Sequence, residues 1–236
     1  MSKIIAIMLL LCCGMMLFGC ADDNGRRKAE QQKTIVVTDS VGRKVELPYP
    51  LERVAVCNVY NAELITAVGA IDKIVGVDNY IFKDQSGFKN RFNEAQVFGI
   101  SQNAMNYEKL AELAPQAVII TGEGTWRDAQ EMLDRFGIKV IVINSYYTDQ
   151  FADNCRLIGR IFGREEQAEE LVNYFNDKLA YIQKQLQGVP RRSLYFEYRT
   201  LGKTAVPGDY FYKMVDIQAL IIFLPLLKDR RLIRKR

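Results

Sequence analysis

The chain contains no histidine, and this limits the chemistry that its side chains can perform. Histidine is the usual general base of Ser-His-Asp and Cys-His enzymes and a common ligand of zinc. The sequence also lacks a Gly-x-Ser-x-Gly elbow and a P-loop. The remaining candidates are aromatic, amide and guanidinium side chains, which bind small molecules without reacting with them. We therefore predict no catalytic residues, no cofactor and no metal site.

Aromatic and polar side chains recur just after short apolar segments. Aromatic rings can form the walls of a binding site, and a guanidinium group pairs with carboxylate or catecholate oxygens. One aromatic side chain alone is more often a packing residue, but several at one edge indicate a recognition surface. The candidate ligand-binding residues are Asn58, Tyr60, Tyr80, Trp126, Arg127, Tyr146, Tyr147 and Arg199.

The elements that must position these residues follow from the apolar segments between residues 53 and 162. Short apolar runs predict strands, and the amphipathic segments between them predict helices. The alternation indicates an α/β fold in which an N-terminal lobe, residues 34–162, has a parallel sheet flanked by helices. Ligands of such sheets bind beyond the carboxyl ends of the strands, an edge that we call the rim. The segments expected at the rim are 58–60, 78–80, 99–101, 122–124 and 145–147.

Polar residues that can cap helices support this division. Asn58 or Asn61 precedes the first predicted helix, and Asn106 precedes another. Thr125 and Asp128 have the spacing of a capping box, with Asp in place of Glu. We therefore expect the Thr125 side chain to accept a hydrogen bond from the first turn of its helix.

Segments on either side of this region extend the pattern. Residues 34–48 predict a β-hairpin that turns near Gly42. Residues 163–188 predict one long linking helix, in which residues 164–187 span roughly 36 Å at ~1.5 Å per residue. Residues 189–216 predict the start of an incomplete second α/β lobe, with a strand at 193–198 and a helix from Tyr210.

The N-terminus predicts an exported protein. Lys3 and the apolar run 4–18 are typical of a signal peptide, and the run is shorter than the ~20 residues that span a bilayer. The sequence Leu-Phe-Gly-Cys at 17–20 resembles the bacterial lipobox, in which the cysteine receives a diacylglyceryl group. We predict a signal peptide at 1–19 and a polar tether at 20–33, lipidated at Cys20. An ordinary signal peptide with a chance cysteine is the alternative.

Cys57 and Cys155 remain after the predicted cleavage. An exported pair could form a disulfide. However, Cys57 ends an apolar strand and Cys155 lies on the apolar stripe of a helix, where a buried free cysteine is more common. We favour two free thiols, although cysteine spacing does not give connectivity.

The net charge of +4 does not predict a nucleic-acid partner. Residues 228–236 hold six basic side chains and one acidic one, so the excess positive charge is confined to the C-terminus. A nucleic-acid interface needs a basic patch on a folded face. We therefore predict no nucleic-acid partner.

Several motifs resemble one family when they are taken in chain order. They are the lipobox, Thr-Asp-Ser-x-Gly-Arg at 38–43, Glu-Arg-Val at 52–54, Gly-Ala-x-Asp-Lys-Ile-Val-Gly-Val at 69–77 and Leu-Ala-Pro at 113–115. This order resembles the substrate-binding lipoproteins of bacterial ABC importers for iron-siderophores, haem, cobalamin and related metal chelates. The resemblance covers roughly residues 34–217.

The resemblance implies two α/β lobes joined by the long helix, with a ligand cleft between them and little hinge closure. It implies a monomer that captures a metal chelate and delivers it to an ABC permease with its ATPase. The protein would be anchored by lipid on the periplasmic or outer cell-surface side of the bacterial membrane. Glu108 lies where such proteins place a carboxylate that meets the permease, although an acid in a first helical turn also suits the helix dipole.

The resemblance ends near residue 216. Family members continue with most of a second lobe, whereas residues 217–236 form an apolar run followed by a basic tail. The run contains Pro225 and is too short to span a bilayer. We interpret this end as a truncated or frame-shifted product, which could be a non-functional fragment. A natural single-lobed variant is the alternative.

Two other classes of function remain open from the sequence. One is an exported α/β enzyme, which the missing histidine disfavours, and the other is a surface adhesion or assembly module without a small ligand. The sequence does not identify the chelate or oxyanion, because the side chains of both lobes would select it. It also does not distinguish a Gram-positive from a Gram-negative envelope.

Overall fold

The structure is a computed structural model that describes residues 33–197, 203–207, 209–218 and 220–222. The predicted signal peptide at 1–19, the tether residues before Lys33 and the lipidation site Cys20 lie outside the described residues. So do Arg199 and, in the predicted C-terminal tail, residues 223–236.

A β-hairpin precedes the main sheet, as the sequence predicts. Strands β1 (Thr34–Thr38) and β2 (Lys44–Pro48) pair antiparallel. Within the turn, the Asp39 carboxylate accepts hydrogen bonds from the N–H groups of Val41 and Arg43. It also pairs with the Arg43 guanidinium at 2.7 Å. The Asp39 side chain is fully buried in this pair, so these contacts fix the turn against the sheet.

Six strands form the main sheet, and the predicted parallel α/β fold is confirmed. Their spatial order is β6-β5-β4-β3-β7-β8, and every neighbouring pair is parallel except β5 with β6. The chain first builds outward from β3 through β4 to β5, then returns to the other side of β3 with β7 and β8. The carboxyl ends of β3 and β7 therefore flank the switch point where ligands of open α/β sheets bind. The strands are β3 (Val54–Val56), β4 (Ile74–Asp78), β5 (Val97–Ser101), β6 (Ala104–Met105), β7 (Ala117–Ile120) and β8 (Lys139–Val142).

Helices cover both faces of this sheet because successive strand side chains point to opposite sides. Ile119 packs in one buried cluster with α1 and α5, and its neighbour Val118 packs in the other with α3 and α4. Apolar side chains of the strands enter both clusters, which explains why the strand sequences are continuous hydrophobic runs. The helices are α1 (Val59–Ala67), α2 (Asn79–Lys83), α3 (Tyr107–Glu112), α4 (Trp126–Asp134), α5 (Phe151–Phe162) and α6 (Glu165–Gln185), with short 3-10 turns at Ile71–Lys73, Glu94–Gln96 and Thr148–Gln150.

The two described cysteines are free and buried, as the sequence analysis favours. Cys57 lies in the cluster with α3 and α4, whereas Cys155 lies in the cluster on the opposite face of the sheet. A disulfide requires Cα atoms within about 7 Å. The layer of strands between the two thiols prevents that approach.

The long helix α6 is packed at its start and exposed at its end. Ala168 and Val172 are buried against α5. A Cβ atom at Gly159 of α5 would collide with Ala168, so glycine permits this close approach. In the second half of α6, Tyr181 and Ile182 are exposed. In the part of the chain that the structure describes, α6 and the other helices are too short or too polar to cross a membrane.

A small α/β segment follows α6. Strand β9 (Arg192–Leu194) pairs parallel with β10 (Leu220–Ile222), and helix α7 (Tyr210–Ile217) lies between them in the chain. The helix begins at Tyr210 as predicted, whereas β9 is shorter than the predicted strand. Residues 220–222, which the sequence analysis assigns to the aberrant tail, thus form a strand. The division of the chain into two lobes stays a prediction.

Candidate ligand-binding rim

The rim is the edge of the main sheet at which its parallel strands end. Four of the five predicted rim segments follow or end strands β3, β4, β7 and β8. The prediction for 99–101 is wrong, because these residues are still part of β5 and the chain leaves the strand at Gln102. A Cβ atom at Gly99 would collide with the backbone of Ala104, so glycine lets the unpredicted strand β6 fold back here.

Asn58 follows β3 at the switch point and contacts β4, the next strand of the sheet. Its φ of 78° strains the backbone of a residue with a side chain. Two contacts hold it there: its side chain accepts a hydrogen bond from Tyr60 N–H at 2.9 Å, and its own N–H donates to Asp78 at 3.1 Å. The predicted cap of α1 at Asn58 is therefore confirmed. The same contacts hold the strained Asn58 backbone in place at the rim.

Asp78 was not predicted to be a functional residue, yet it organises this part of the rim. It is 2% exposed and accepts a second hydrogen bond from Ile81 N–H at 3.0 Å, which caps α2. Burial raises the pKa of this carboxyl, and the hydrogen bonds from the N–H groups of Ile81 and Asn58 oppose that shift. Its position as the last residue of a strand before a helix is the sequence signal that could have identified it.

Tyr60 and Tyr80 occupy equivalent positions after neighbouring strands. Each is the second residue of its helix, α1 for Tyr60 and α2 for Tyr80. Both side chains are exposed, as a ligand contact requires. Large exposed aromatic side chains at one edge are typical of a recognition surface.

Tyr146 and Tyr147 stand at the end of β8 and pack against each other. Their ring centroids are 4.5 Å apart, and the Tyr146 hydroxyl donates a hydrogen bond to Glu123 at 3.1 Å. Burial, and then the nearby Glu123 carboxylate, raise the pKa of Tyr146 well above its ordinary value. The phenol therefore stays protonated and can donate a hydrogen bond.

Helix α7 adds aromatic rings to this pair. Tyr210 meets Tyr146 edge to face, with centroids 6.1 Å apart. Phe211 packs against Tyr210 at 4.3 Å and against Phe196 at 5.0 Å. We call Phe196, Tyr146, Tyr147, Tyr210 and Phe211 the rim aromatic cluster. The sequence predicts only the two members that follow β8, because the others lie more than forty residues further along the chain.

Lys213 is a further rim residue that was not predicted from the sequence. It forms an ion pair with Asp149 of the Thr148–Gln150 turn, 64 residues away in sequence. Its ammonium also lies over the Tyr147 ring, 6.0 Å from the centroid. A surface lysine in an amphipathic helix gives no sequence signal for such a contact, since only the tertiary fold brings the two segments together.

Trp126 and Arg127 are placed differently from the tyrosines. Trp126 is only 9% exposed and packs in the core on the α3 and α4 face. The Arg127 guanidinium lies over the Trp126 ring at 4.2 Å, and Arg43 lies over it at 4.3 Å. These contacts engage the indole and both cations within the protein. A ligand contact for Trp126 or Arg127 stays a prediction, and Arg199 lies outside the described residues.

Amide side chains tie the rim loops to one another. The Gln102 side chain accepts hydrogen bonds from the N–H and hydroxyl of Thr121, at 2.8 and 2.9 Å. Asn144 accepts from Gly122 N–H at 2.7 Å, and the Ser145 hydroxyl donates to Asn61 at 2.6 Å. These bonds cross between sequence-distant loops, so they hold the rim in one arrangement.

The predicted capping box at Thr125 is wrong. Its side chain caps no helix N–H and instead donates to the Gln102 carbonyl at 3.3 Å and to the Asn103 side chain at 3.2 Å. The tertiary contact with the β5–β6 turn competes for the hydroxyl, which a local sequence pattern does not reveal.

Glu108 lies in the first turn of α3 and is exposed. The helix is capped by Asn106, which accepts a hydrogen bond from Lys109 N–H at 2.9 Å, as predicted. This position is accessible to a partner and also suits the helix dipole, so its docking role stays a prediction. Across the ranges that the structure describes, no three Cys, Asp or Glu side chains are grouped to hold a metal ion.

Known proteins share this architecture. The sequence profile of the family described as periplasmic binding protein matches residues 54–214. No curated protein matches the chain. The family match thus spans the main sheet, α6 and most of α7.

Solved structures resemble the chain over most of its length. A periplasmic solute binding protein from Veillonella parvula is 28% identical, with a TM-score of 0.58 over 70% of this chain and 52% of that one. The petrobactin-binding protein YclQ from Bacillus subtilis is 17% identical, with a TM-score of 0.59 over 69% and 57%. SirA from Staphylococcus aureus, solved with staphyloferrin B, is 20% identical, with a TM-score of 0.56 over 68% and 55%. The chain therefore spans little more than half of the length of each of these proteins.

Proposed function

Because the chain belongs to the periplasmic binding protein family, we propose that it is the substrate-binding component of an ABC importer. It captures an iron-siderophore or a related metal chelate in a cleft between two lobes and delivers it to the permease. The protein performs no chemistry on its ligand. Membership of the family implies an exported, extracytoplasmic protein, and in this proposal the lipid on Cys20 anchors it to the membrane as a monomer.

The observation that carries this proposal is the chemistry of the rim. Tyr146 and Tyr147 offer phenol rings after β8, the strand next to β7, and the end of β7 flanks the switch point where open α/β sheets bind their ligands. The strained Asn58 follows β3, the strand on the other side of the switch point. Such a surface suits a bulky ligand with oxygen-rich and aromatic faces, because it combines flat apolar walls with hydrogen-bonding groups.

The class of ligand is proposed from the chemistry of the rim. Among the similar structures, YclQ is a petrobactin-binding protein and SirA was solved with staphyloferrin B. Both proteins are at most 20% identical to this chain, so they support the fold and not the ligand. An iron-siderophore is our first choice, with cobalamin, haem and an oxyanion as further members of the panel to be tested. In this proposal Tyr60, Tyr80, Trp126, Arg127 and Arg199 also contact the ligand.

Delivery requires contact with the permease. Glu108 is exposed in the first turn of α3, and its carboxylate can pair with a basic side chain on the partner. We assign it this docking role. Because salt screens an electrostatic contact between exposed charges, we expect high salt to weaken docking.

Direct binding to the full chain tests the proposal. Isothermal titration and native mass spectrometry would measure binding of ferric siderophores, haem, cobalamin and molybdate. The informative variant is the double substitution Tyr146→Ala and Tyr147→Ala. Its matched control is Tyr174→Ala with Tyr181→Ala, which removes two equally large, exposed rings from α6.

We expect the full chain to bind at least one iron chelate. The rim variant should weaken that binding by about tenfold or more, since each lost aromatic contact costs ~0.5–1.5 kcal/mol. The α6 variant should bind as the unmodified chain does. If nothing in the panel binds, or if both double variants weaken binding equally, the proposed site is wrong.

A further inference from the structure

We propose that Lys213 is the anion-binding residue of the rim and that Asp149 serves as its counter-ion while no ligand is bound. This inference rests on the proposed function of the same rim and names a residue that determines its specificity. An anionic group of the ligand, such as a carboxylate, phenolate or oxyanion, takes the place of Asp149 beside the ammonium.

The position of Lys213 is the first argument. Its ammonium contacts Asp149 and lies over the Tyr147 ring, whose centroid is 6.0 Å away. Tyr147 packs on Tyr146, and Tyr146 meets Tyr210, which precedes Lys213 by almost one turn of α7. The cation is thus part of the rim aromatic cluster, which the ligand of the proposed function would contact.

The distribution of charge is the second argument. Glu123 accepts the hydrogen bond of Tyr146, and Asp149 lies in the turn that follows Tyr147, so both carboxylates border the cluster. Arg127, four residues after Glu123, stacks on the buried Trp126. An anionic ligand therefore needs a positive group at the cluster to offset two carboxylates, and Lys213 provides it.

The exchange is possible because this ion pair is only loosely held. The Lys213 and Asp149 side chains are 34% and 47% exposed, and exposed pairs contribute little to stability. In contrast, Arg43 pairs with an Asp39 side chain that is 0% exposed and is further fixed by backbone hydrogen bonds. An incoming anion can therefore displace Asp149 at little cost, whereas it could not displace Asp39.

A charge-matched set of variants tests the inference in the full chain. Asp149→Asn releases Lys213, and Lys213→Met removes the charge but keeps an apolar stem. Asp216→Asn is the control, because it breaks another exposed ion pair of α7, with Arg191, and changes the net charge equally. Isothermal titration with molybdate and with ferric citrate at low ionic strength measures anion affinity.

We expect Asp149→Asn to raise the affinity for these anions by about fivefold. This is the largest effect expected when an exposed carboxylate no longer competes with the anion for Lys213. Adding Lys213→Met should abolish that gain, and Asp216→Asn should leave the affinity unchanged. The inference is overturned if Asp149→Asn has no effect, if Asp216→Asn has the same effect, or if the gain survives without Lys213.

The results also separate this inference from the proposed function. If the Lys213-dependent gain occurs with simple anions but no chelate binds the unmodified chain, the inference stands and the transport function falls. If a chelate binds the unmodified chain with an affinity that neither Lys213→Met nor Asp149→Asn changes, the function stands and the inference falls.

Discussion

The main sheet and the segment formed by β9, α7 and β10 contribute to the same rim, but they are held in different ways. Strands β7 and β8 are almost entirely buried between two layers of helices. In the described part of residues 189–218, by contrast, only Ala205 and Val215 are buried. The segment contacts the rim of the sheet through an ion pair and a ring contact instead.

The rim therefore has a rigid side, formed by the main sheet, and a releasable side, formed by β9, α7 and β10, that can open locally. Burial of apolar surface contributes ~25 cal/mol per Å², so the sheet holds most of the free energy of unfolding. Exposed ion pairs contribute far less. Regions with few buried contacts open locally without global unfolding. We therefore expect substitutions in the sheet to change the stability of the protein, and substitutions around α7 to change mainly its local opening.

The largest effect should come from removing the same side chain from the rigid sheet and from the exposed end of α6, the helix that leads to the releasable segment. Ile119→Ala, at the centre of the sheet, should lower the free energy of unfolding by ~2–5 kcal/mol, since it leaves a cavity among fully buried neighbours. Ile182→Ala, at a position on α6 that is 38% exposed, should change it by less than ~1 kcal/mol. Urea unfolding followed by circular dichroism measures both.

If both variants lost the same free energy of unfolding, Ile182 of α6 would be packed as tightly as Ile119 of the sheet. In that case burial would not distinguish the sheet from the helix that leads to the releasable segment. If the slope of the unfolding free energy against urea concentration changed while the midpoint did not, the variant would instead have a different unfolded state.

A smaller effect should appear in the pH dependence of stability on the rigid side. Burial raises the pKa of Asp78 in the folded protein, so the folded state retains this proton at a pH where the unfolded state has lost it. The free energy of unfolding should therefore fall as pH rises from the ordinary Asp pKa of ~3.9 through the raised value, and level off above it. Asp78→Asn should remove this part of the slope.

Urea unfolding of both proteins between about pH 4 and pH 7 measures the difference. The variant also loses one of the two acceptor oxygens that serve the N–H groups of Asn58 and Ile81, but that loss is constant with pH. A difference between the two proteins that stays flat over this interval would show that Asp78 has the same pKa in the folded and unfolded states.

The sequence predicted the rigid side of the rim much better than the releasable side. The apolar runs around Val118 and Ile141 can only be strands buried on both faces, so the parallel sheet and its carboxyl ends followed directly. Local capping at Asn58 and Asn106 was also predictable, since the partners lie within three residues.

Contacts between distant segments could not be predicted in this way. Thr125 has the local pattern of a cap, yet it bonds to Gln102 and Asn103, which only the folded turn brings near. Lys213 and Asp149 meet for the same reason, and each alone looks like an ordinary surface charge. Hydrophobic periodicity reports burial, whereas these polar contacts depend on how separate elements pack.

The smallest effect should distinguish local opening of α7 from unfolding of the whole protein. Arg191 and Asp216 form an exposed ion pair at 2.7 Å that ties α7 to the residue before β9. Arg191→Gln should therefore destabilise α7 locally by ~0.2–1 kcal/mol, which speeds amide hydrogen exchange in residues 210–217 up to about fivefold. Exchange in β7 should not change, because the sheet does not depend on this contact.

Hydrogen exchange with mass spectrometry resolves the two regions in one experiment. High salt should reproduce the effect in the unmodified protein and have a smaller effect in the variant, where the pair of Lys213 with Asp149 is the one that salt still screens. If β7 and α7 accelerate together, the two regions unfold as one unit, and the ligand would meet a rim that is rigid on both sides. If only α7 accelerates, the helix that carries Lys213 and Tyr210 can move while the tyrosines at the end of β8 stay in place.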